Sequence, residues 1–418
     1  MEPRWLQEKR SKASKLEVSL PIPTQEEYWR KTNFSRIPLA KYSPVAATKN
    51  GAAAGSASAF LPLKLLLAGE ILYGEETSPV TLDPQLQKQG VILAPLSQAT
   101  LQHEDLVLKY LGRGFEGRGE KFIAQNEAGW QTGVFCYVPK NVQIELPLLL
   151  TQHFSGDDKT LFPRVLVVLE AGAKATLLHY AFSAAEKNNH EVTPSGFVNS
   201  LSEVYLSEGS TLTLIDLQDL SKKTAEVATK RVEVGKNATL KWILNIEGAK
   251  ISKTDIETVL NGEGARAEVM GLVLAKEKQH LELCSLTQHV TPHTSADILI
   301  KSTADDQAKT IFQGMIRIEK EAQQTESYMA NHNLVLSDKA HADSIPRLEI
   351  EADDVKASHG ATVGQIDHEQ IFYLKSRGLS KEVAERLLVE GFYEDIFGRI
   401  PLEEVRELLR KKVLYHAV

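Results

Sequence analysis

Apolar and polar positions alternate through the middle of the chain, from about residue 141 to residue 365, where helical periodicity is largely absent. One pattern returns there four times: an alternating strand, a few small residues around a glycine, and a second alternating strand. The copies occupy residues 167–177, 204–214, 231–240 and 258–269. Their turn glycines, which are 37, 26 and 27 residues apart, are Gly172, Gly209, Gly235 and Gly262.

Each copy predicts a strand, a tight turn and a second strand, with the glycine taking up a left-handed or otherwise strained turn conformation. A period in the twenties without helices is typical of a β-solenoid, in which the stacking of successive coils buries the inward side chains. Eight to ten coils spaced about 4.8 Å apart would form a rod of roughly 40–50 Å. Short strands with glycine turns also fit a β-sandwich, so the repeat alone leaves both folds open.

The N-terminal region, residues 1–140, has a mixed and partly helical pattern. We predict short helices at residues 25–32 and 101–111, the second because its apolar positions are three and four residues apart. Residues 46–59 are rich in Ala, Gly and Ser and predict a flexible loop. This region is therefore expected to precede the β-rich core, which we assign to residues 141–365.

The C-terminal region, residues 366–418, has the periodicity and capping residues of three short amphipathic helices. Helices of this kind, appended to a solenoid, can cap its open end or bind a partner. The predicted helices are 368–377, 381–390 and 402–414. The residues that define their ends are Asp367 and Ser380 as N-caps, Gly378 and Gly391 as C-terminal stops, and Pro401 before the third helix.

Composition narrows the class of protein. The 418 residues include 48 basic and 55 acidic side chains, and the net charge of −7 argues against a broad nucleic-acid-binding surface. The chain has two cysteines, so it cannot form a disulfide framework and suits a reducing compartment. The N-terminus lacks the apolar stretch of a secretory signal, and no segment reaches the roughly 20 apolar residues of a membrane span. We therefore expect a cytoplasmic protein that binds neither membranes nor nucleic acid.

Short motifs give little support for an enzyme. Residues 112–117 match G-x-G-x-x-G but follow a predicted helix, so a loop is favoured over a phosphate site. Cys136 and Cys284 lie in alternating segments that predict buried thiols. Asp353 and Asp354 are adjacent strand residues that point to opposite faces, which argues against a carbohydrate-active β-helix enzyme. The histidines lack zinc-protease spacing, although a solenoid could stack distant ones; they include His280, His289, His293, His332, His341, His359 and His368.

One long stretch carries a distinctive likeness. Residues 352–367, continued through 369–379, resemble the SufB/SufD family of iron–sulfur cluster assembly proteins, and its SufD branch in particular. Residues 133–140 and 323–328 support the same likeness, which extends over roughly residues 120–410. The resemblance implies a mainly β protein, with a right-handed parallel β-helix between N-terminal and C-terminal helical regions.

The resemblance also implies partners. SufD-like proteins pair with SufB through their β-helices and with the ABC-type ATPase SufC through their C-terminal helices, forming the scaffold on which a nascent cluster is built. Because neither Walker motif is present in this sequence, we expect a non-enzymatic subunit whose partner hydrolyses ATP. The resemblance implies a SufC-binding segment centred on residues 364–377. Its candidate contact residues are Gly364, Asp367, Glu369, Gln370, Phe372, Tyr373 and Arg377.

The family pattern also suggests a site for the cluster. Ala340 occupies the position where a SufB-type cluster thiol is expected, which favours a SufD-like subunit over a self-sufficient, homodimeric SufB-like scaffold. His359 is then the candidate iron or nascent-cluster ligand at the SufB interface, or a residue that only hydrogen-bonds across that interface. Two positions before this histidine, Ala357 occupies a place where family members sometimes carry a cysteine. We expect no stably bound cofactor and a transient cluster on the complex; the sequence does not support a reduced flavin.

Overall fold

A computed structural model of the chain describes residues 2–24, 26–45, 56–156, 158–183 and 195–416. The helices are α1 (Arg4–Ser19), α2 (Pro84–Lys88), α3 (Leu96–Gln102), α4 (Glu104–Tyr110), α5 (Lys121–Gly129), α6 (His368–Ser376), α7 (Lys381–Phe397) and α8 (Glu403–His416). The strands are, in chain order, β1 (Ser43–Pro44), β2 (Gly69–Gly74), β3 (Thr81–Leu82), β4 (Ile92–Pro95), β5 (Thr132–Val138), β6 (Leu148–His153), β7 (Lys159–Leu161), β8 (Pro163–Leu169), β9 (Lys174–Phe182), β10 (Gly196–Leu206), β11 (Thr211–Asp219), β12 (Thr224–Val234), β13 (Thr239–Ile246), β14 (Ile251–Leu260), β15 (Arg266–Ala275), β16 (His280–His289), β17 (Ser295–Ala304), β18 (Lys309–Ile318), β19 (Thr325–Val335), β20 (His341–Ile350) and β21 (Val355–Gln365).

The strands form two sheets that face each other. The first sheet has the order β20-β18-β16-β14-β12-β10-β8-β5-β4, joined at its side by β7 and β1. The second has the order β21-β19-β17-β15-β13-β11-β9-β6-β2-β3. The chain therefore alternates between the sheets, and each strand from β8 onwards pairs in parallel with a strand one coil away. This topology confirms the parallel β-helix, of about eight turns, and excludes the β-sandwich.

The inward faces of both sheets build one apolar core along the axis of the β-helix. Trp242, Val269, Ile298 and Met329 occupy the same register position on four successive strands of the second sheet, and all four are buried in this core. Each coil thus completes the packing of the one before it, because the inward side chains of a single coil have nothing else to pack against.

The turn glycines do not all serve the purpose that the sequence suggested. Gly172 and Gly209 have the expected positive φ of +68° and +66°. In the two following turns the left-handed residue lies two positions later, at Asn237 and then Gly264. Gly262 is instead required by a close backbone approach, because a Cβ there would lie 1.9 Å from the backbone nitrogen of the preceding coil's turn.

The N-terminal region differs from its predicted elements. Within residues 25–32 only Glu27–Trp29 forms a short 3-10 turn, and the segment 101–111 contains parts of α3 and α4, which meet at His103. Most of the loop predicted at 46–59 lies outside the described residues, and Ala57–Phe60 forms a 3-10 turn. The pattern of apolar positions does not predict α1, because its long polar sequence has only a narrow apolar stripe, with Leu6 and Ala13 buried.

The C-terminal helices agree closely with the sequence, with one correction. Asp367 and Ser380 cap α6 and α7 as predicted, each accepting a hydrogen bond from a backbone N–H in the first turn. However, α7 continues through Gly391 to Phe397 rather than ending there. Tyr393 and Phe397 are fully buried against the second sheet, and their packing outweighs the roughly 1 kcal/mol that a helical glycine costs.

Candidate functional site

The last coil of the β-helix leaves one end of the stack open. Among the described strands, β20 pairs only with β18, and β21 only with β19. Ile316 and Ile318 on β18 are buried, whereas Leu348 and Ile350, their register partners on β20, are 37% and 41% exposed. The inward face of the final coil, which is core everywhere else along this sheet, is therefore accessible to solvent.

His359 stands at this open end. It is the register partner of Met329 and so continues the inward-facing column of Trp242, Val269 and Ile298. Because side chains at the same register of parallel strands point to the same face, the imidazole lies at the mouth of the interior. It is exposed, and Ala357, two residues earlier on the same face, packs on the end of the core.

A polar network lies beside this histidine, inside the last coil. Ser344 Oγ on β20 donates a hydrogen bond of 2.6 Å to Asn331 Oδ1 on β19, and so links the two sheets across the interior. Asn333 Nδ2 donates to the same oxygen at 2.6 Å and to the Thr362 carbonyl at 3.1 Å. Asn331 is fully buried. The interior next to the open end is therefore polar where these three side chains meet.

Apolar side chains also surround the open end. Tyr328 on β19 and Val363 on β21 are 47% and 52% exposed, and with Leu348 and Ile350 on β20 they expose apolar side chains near this end. An exposed strand edge with apolar neighbours is a template for pairing with another chain, and proteins usually cover or charge such edges. This end therefore has the properties of a protein–protein contact surface.

The predicted partner-binding residues lie directly after this end. Phe372 is 75% exposed and Tyr373 56%, whereas their neighbour Ile371 is buried. Arg377 Nη2 donates a hydrogen bond of 3.1 Å to the Tyr373 hydroxyl. Val383 and Leu387 on α7 are 41% and 45% exposed, and extend the apolar surface. The remaining predicted residues, which are also exposed, are Gly364, Asp367, Glu369 and Gln370.

The helices that present this surface are tied to the second sheet. Lys301 Nζ lies 2.7 Å from Asp395 Oδ1 and also donates to the Phe392 carbonyl. Arg399 Nη1 lies 2.9 Å from Asp297 Oδ2, so both contacts join the end of α7 to strand β17. A displacement of α7 would therefore be transmitted to the β-helix two strands from its open end.

Other candidates from the sequence have structural roles. Within the 112–117 loop the amides of Gly112 and Gly114 donate to the Glu203 carboxylate at 2.8 and 3.2 Å, so a carboxylate already occupies these donors. Cys136 and Cys284 are buried as predicted, and burial raises the pKa of the Cys136 thiol to about 12. Across the described residues, no group of three or more His, Cys, Asp or Glu side chains has the arrangement of a metal site.

Sequence reasoning missed a charged cluster inside the β-helix. His179 Nδ1 lies 2.9 Å from Asp216 Oδ1, Lys230 Nζ lies 2.5 Å from Asp216 Oδ2, and Tyr73 hydroxyl lies 2.7 Å from His179 Nε2. The Lys230 ammonium and hydrogen bonds from its neighbours outweigh desolvation and lower the pKa of Asp216. The available signal was polar residues at inward positions of otherwise apolar strands, which only the register makes visible.

The fold and the open end together define the class: a parallel β-helix with a solvent-exposed last coil and partly exposed helices after it. Two family models match this chain: the SufBD core domain of the SUF system for FeS cluster assembly, over residues 152–392, and the SufBD protein N-terminal region, over residues 71–150. The chain belongs to the SufBD family of iron–sulfur cluster assembly proteins, which confirms the family resemblance.

Relatives of this chain carry names from the same process. It is 28% identical over 347 residues to the iron–sulfur cluster assembly protein SufB of Bacillus subtilis (strain 168), covering 83% of this chain and 73% of that protein. An iron–sulfur cluster assembly SufBD family protein of Staphylococcus aureus (strain USA300) is 27% identical with the same coverage. No described helix is both long and apolar enough to cross a membrane.

Proposed function

We propose that this chain is a SufD-like scaffold subunit that pairs with a SufB-like subunit through the open end of its β-helix. It also binds a SufC-like ATPase through α6 and α7, and takes no catalytic part in ATP hydrolysis. The observation that carries the proposal is the solvent-exposed last coil, with His359 in a register column that is apolar core in the preceding coils. Two free cysteines fit a reducing compartment such as the cytoplasm.

The open end supports pairing with another β-helix rather than with a small ligand. Strands β20 and β21 each offer one unpaired edge, and a partner strand added to either edge would satisfy its backbone N–H and C=O groups. Leu348, Ile350 and Val363 would become buried in the same step, at about 25 cal/mol for each Å² of apolar surface removed from water.

The same coil supports a role for His359 in cluster assembly. A neutral imidazole is a competent iron ligand, and an exposed one at an interface can share iron with a thiolate from the partner. The nascent cluster is then the cargo of the complex and no cofactor is bound stably. Within this chain Ala340 offers no thiol, and both cysteines are buried away from the open end. The partner must therefore supply the sulfur ligands.

The C-terminal helices support a mechanical role for the ATPase. Phe372 and Tyr373 provide exposed aromatic contacts for a partner, while α7 is fixed to β17 through Lys301 and Arg399. Movement of the ATPase on ATP binding would therefore pull on the second sheet near its open end. We propose that this rearranges the contact with the SufB-like subunit and gives iron access to His359.

A SufB-like scaffold that works as a homodimer is the second candidate, favoured by the relative named SufB. The open end could pair with its own copy, since β20 and β21 are accessible in the single chain. Measuring the mass of the purified protein alone and mixed with a SufB-like subunit separates the two functions. A heterodimer that replaces any homodimer supports the SufD-like role, and a homodimer that persists and holds a cluster by itself contradicts it.

Co-purification with SufB-like and SufC-like partners, followed by anaerobic reconstitution with iron and sulfide, tests the proposal. We expect His359→Ala to leave the complex assembled while its iron content falls severalfold. The matched control is His332→Ala, which removes a histidine from the outer face of the neighbouring strand β19. Phe372→Ala should weaken SufC capture about tenfold, whereas Tyr415→Ala, an exposed aromatic on α8, should not.

Complex assembly and iron content together distinguish three outcomes that would contradict parts of the proposal. If the His359→Ala complex falls apart, the histidine acts in the interface and is not an iron ligand. If the His359 and His332 variants both keep full iron content, the assignment of the site is wrong. If the wild-type chain captures neither partner, the SufD-like role itself is wrong.

A further inference from the structure

A segment of the N-terminal region crosses the outer face of the first sheet. This segment, residues 26–34, which we call the N-terminal strap, has contacts with strands β14, β16, β18 and β20. It thus extends from the middle of the β-helix to the last strand before the open end. Neither the family match nor the proposed partner surface accounts for this arrangement.

The middle of the strap is anchored by buried contacts. Trp29 is buried, and the ammonium group of Lys253 lies 5.0 Å from its ring centroid. The Thr32 hydroxyl lies 2.6 Å from His280 Nε2 and donates a hydrogen bond to the Glu282 carboxylate. Because these groups are desolvated and paired, this part of the strap holds its position firmly.

Residues beside and between these anchoring side chains reach β20 through polar pairs. Lys31 Nζ lies 3.1 Å from Asp343 Oδ2, and Glu27 Oε1 lies 2.8 Å from Arg347 Nη1. The Arg347 guanidinium also lies 5.4 Å from the Tyr28 ring centroid. Asp343 and Arg347 both lie on the outward face of β20, opposite the inward Ser344 and Leu348.

The charges specify one alignment of the strap on β20. Glu27 and Lys31 are four residues apart, as are Arg347 and Asp343, and the two segments run in opposite directions with complementary signs. Sliding β20 by two residues would separate both pairs. Among the described strands β20 pairs only with β18, so contacts on its outer face add to the few that fix its register.

We infer that the N-terminal strap is a clasp that fixes strand β20 in register and thereby sets the affinity of the open end for its partner strand. The second half of this inference rests on the proposed function, and the first half does not. Glu27, Lys31, Asp343 and Arg347 are positioning residues, because they act through strand β20. The clasp therefore links the N-terminal region to strand β20 at the open end, which lies far from it in sequence.

A charge swap tests the clasp in the isolated chain. Glu27→Arg and Arg347→Glu each break the pair, and the double variant restores it with the signs exchanged. We expect hydrogen exchange of the β20 amides to quicken two- to fivefold in each single variant, as an ion pair of up to about 1 kcal/mol implies, and to recover in the double variant. The matched control is Lys236→Glu, which breaks an exposed pair with Glu208 in the middle of the β-helix and should leave β20 unchanged.

Partner affinity is then measured on the same proteins with a SufB-like subunit. The inference predicts that the dissociation constant rises with the exchange rate of β20 in both single variants and recovers in the double variant. Unchanged exchange in the single variants, or faster exchange that the double variant fails to restore, overturns the clasp. Restored exchange with an unaltered dissociation constant overturns its link to docking, whereas a wild-type chain that binds no partner counts against the proposed function alone.

Discussion

The two ends of this β-helix are built from the same kind of coil, but they differ in strand pairing and in exposure to solvent. At the first end, the short strands β3 and β4 run antiparallel to β2 and β5 and pair with part of the outer edge of each sheet, and α3 packs against the outer face of β5. Every residue of β6 and β8 is buried. At the last end, no antiparallel strand among the described residues follows β20 or β21, and β21 is exposed or partly exposed along its length.

This difference between the ends suggests that burial at the first end serves folding, whereas exposure at the last end serves the proposed binding. An unpaired strand edge favours pairing with other chains, and at the first end two short antiparallel strands pair with part of it. Leaving the last end open, with apolar side chains in the mouth, is compatible with a contact that completes the stack. The inward column ends in His359 at this position, where the preceding coils carry Trp242, Val269, Ile298 and Met329.

The first prediction concerns two residues of this inward-facing column, Ile298 in the closed interior and His359 at the open end. Ile298→Ala should cost about 2–5 kcal/mol of unfolding free energy, because the residue is fully buried and the rigid coils around it cannot close the cavity. His359→Ala should change the unfolding free energy of the isolated chain by less than about 0.5 kcal/mol, since the side chain is exposed. Urea unfolding of both variants measures this. A large loss in His359→Ala would mean that the histidine serves folding.

A second prediction uses an inward histidine of the closed interior. His289 lies between Thr294 Oγ1 at 2.8 Å and Ser327 Oγ at 3.0 Å, and burial lowers its pKa from 6.5 to about 4. Above pH 6.5 neither state binds the proton, so this histidine costs no stability there. As the pH falls from 6.5 to 4, His289 binds a proton in the unfolded chain but not in the folded chain. This difference lowers the free energy of unfolding by about 3 kcal/mol.

The measurement is the free energy of unfolding against pH for wild type and His289→Gln. The amide keeps polar contacts with both hydroxyls but cannot titrate, so the variant should lose less stability between pH 6.5 and 4. The difference between the two curves isolates His289 from His280, whose pKa burial also lowers to about 4. Parallel curves would contradict a dry, closed interior at this coil.

Much of the fold could be read from the sequence because its signals are local and repeated. Alternation and turn glycines predicted the coils, and Asp367 and Ser380 predicted the starts of two helices by side-chain capping. The same local reading failed where tertiary packing decides: Gly391 lies inside α7 because Tyr393 and Phe397 pack on the second sheet. It also failed for α1, which has only a narrow apolar stripe.

The site was less predictable for a related reason. His359 was chosen through the family resemblance, and the sequence alone gave no means of knowing that it continues an apolar column. The charged cluster around Asp216 and the contacts between Glu27 and Arg347 join residues far apart along the chain. Such pairings depend on the register of the coils. Turns of unequal length set this register, and the alternation of apolar and polar residues does not reveal it.

A third prediction tests partner binding at the open end. Leu348→Asp places a charge in the mouth of the open end, where a partner strand would bury it, and should weaken SufB-like binding about thirtyfold, equivalent to about 2 kcal/mol. The matched control is Leu101→Asp on α3 at the first end, where the leucine is 55% exposed and a charge stays in water. Titration calorimetry with a SufB-like subunit measures both. Equal weakening would place the contact elsewhere, and weakening by the Leu101 variant alone would move it to the first end.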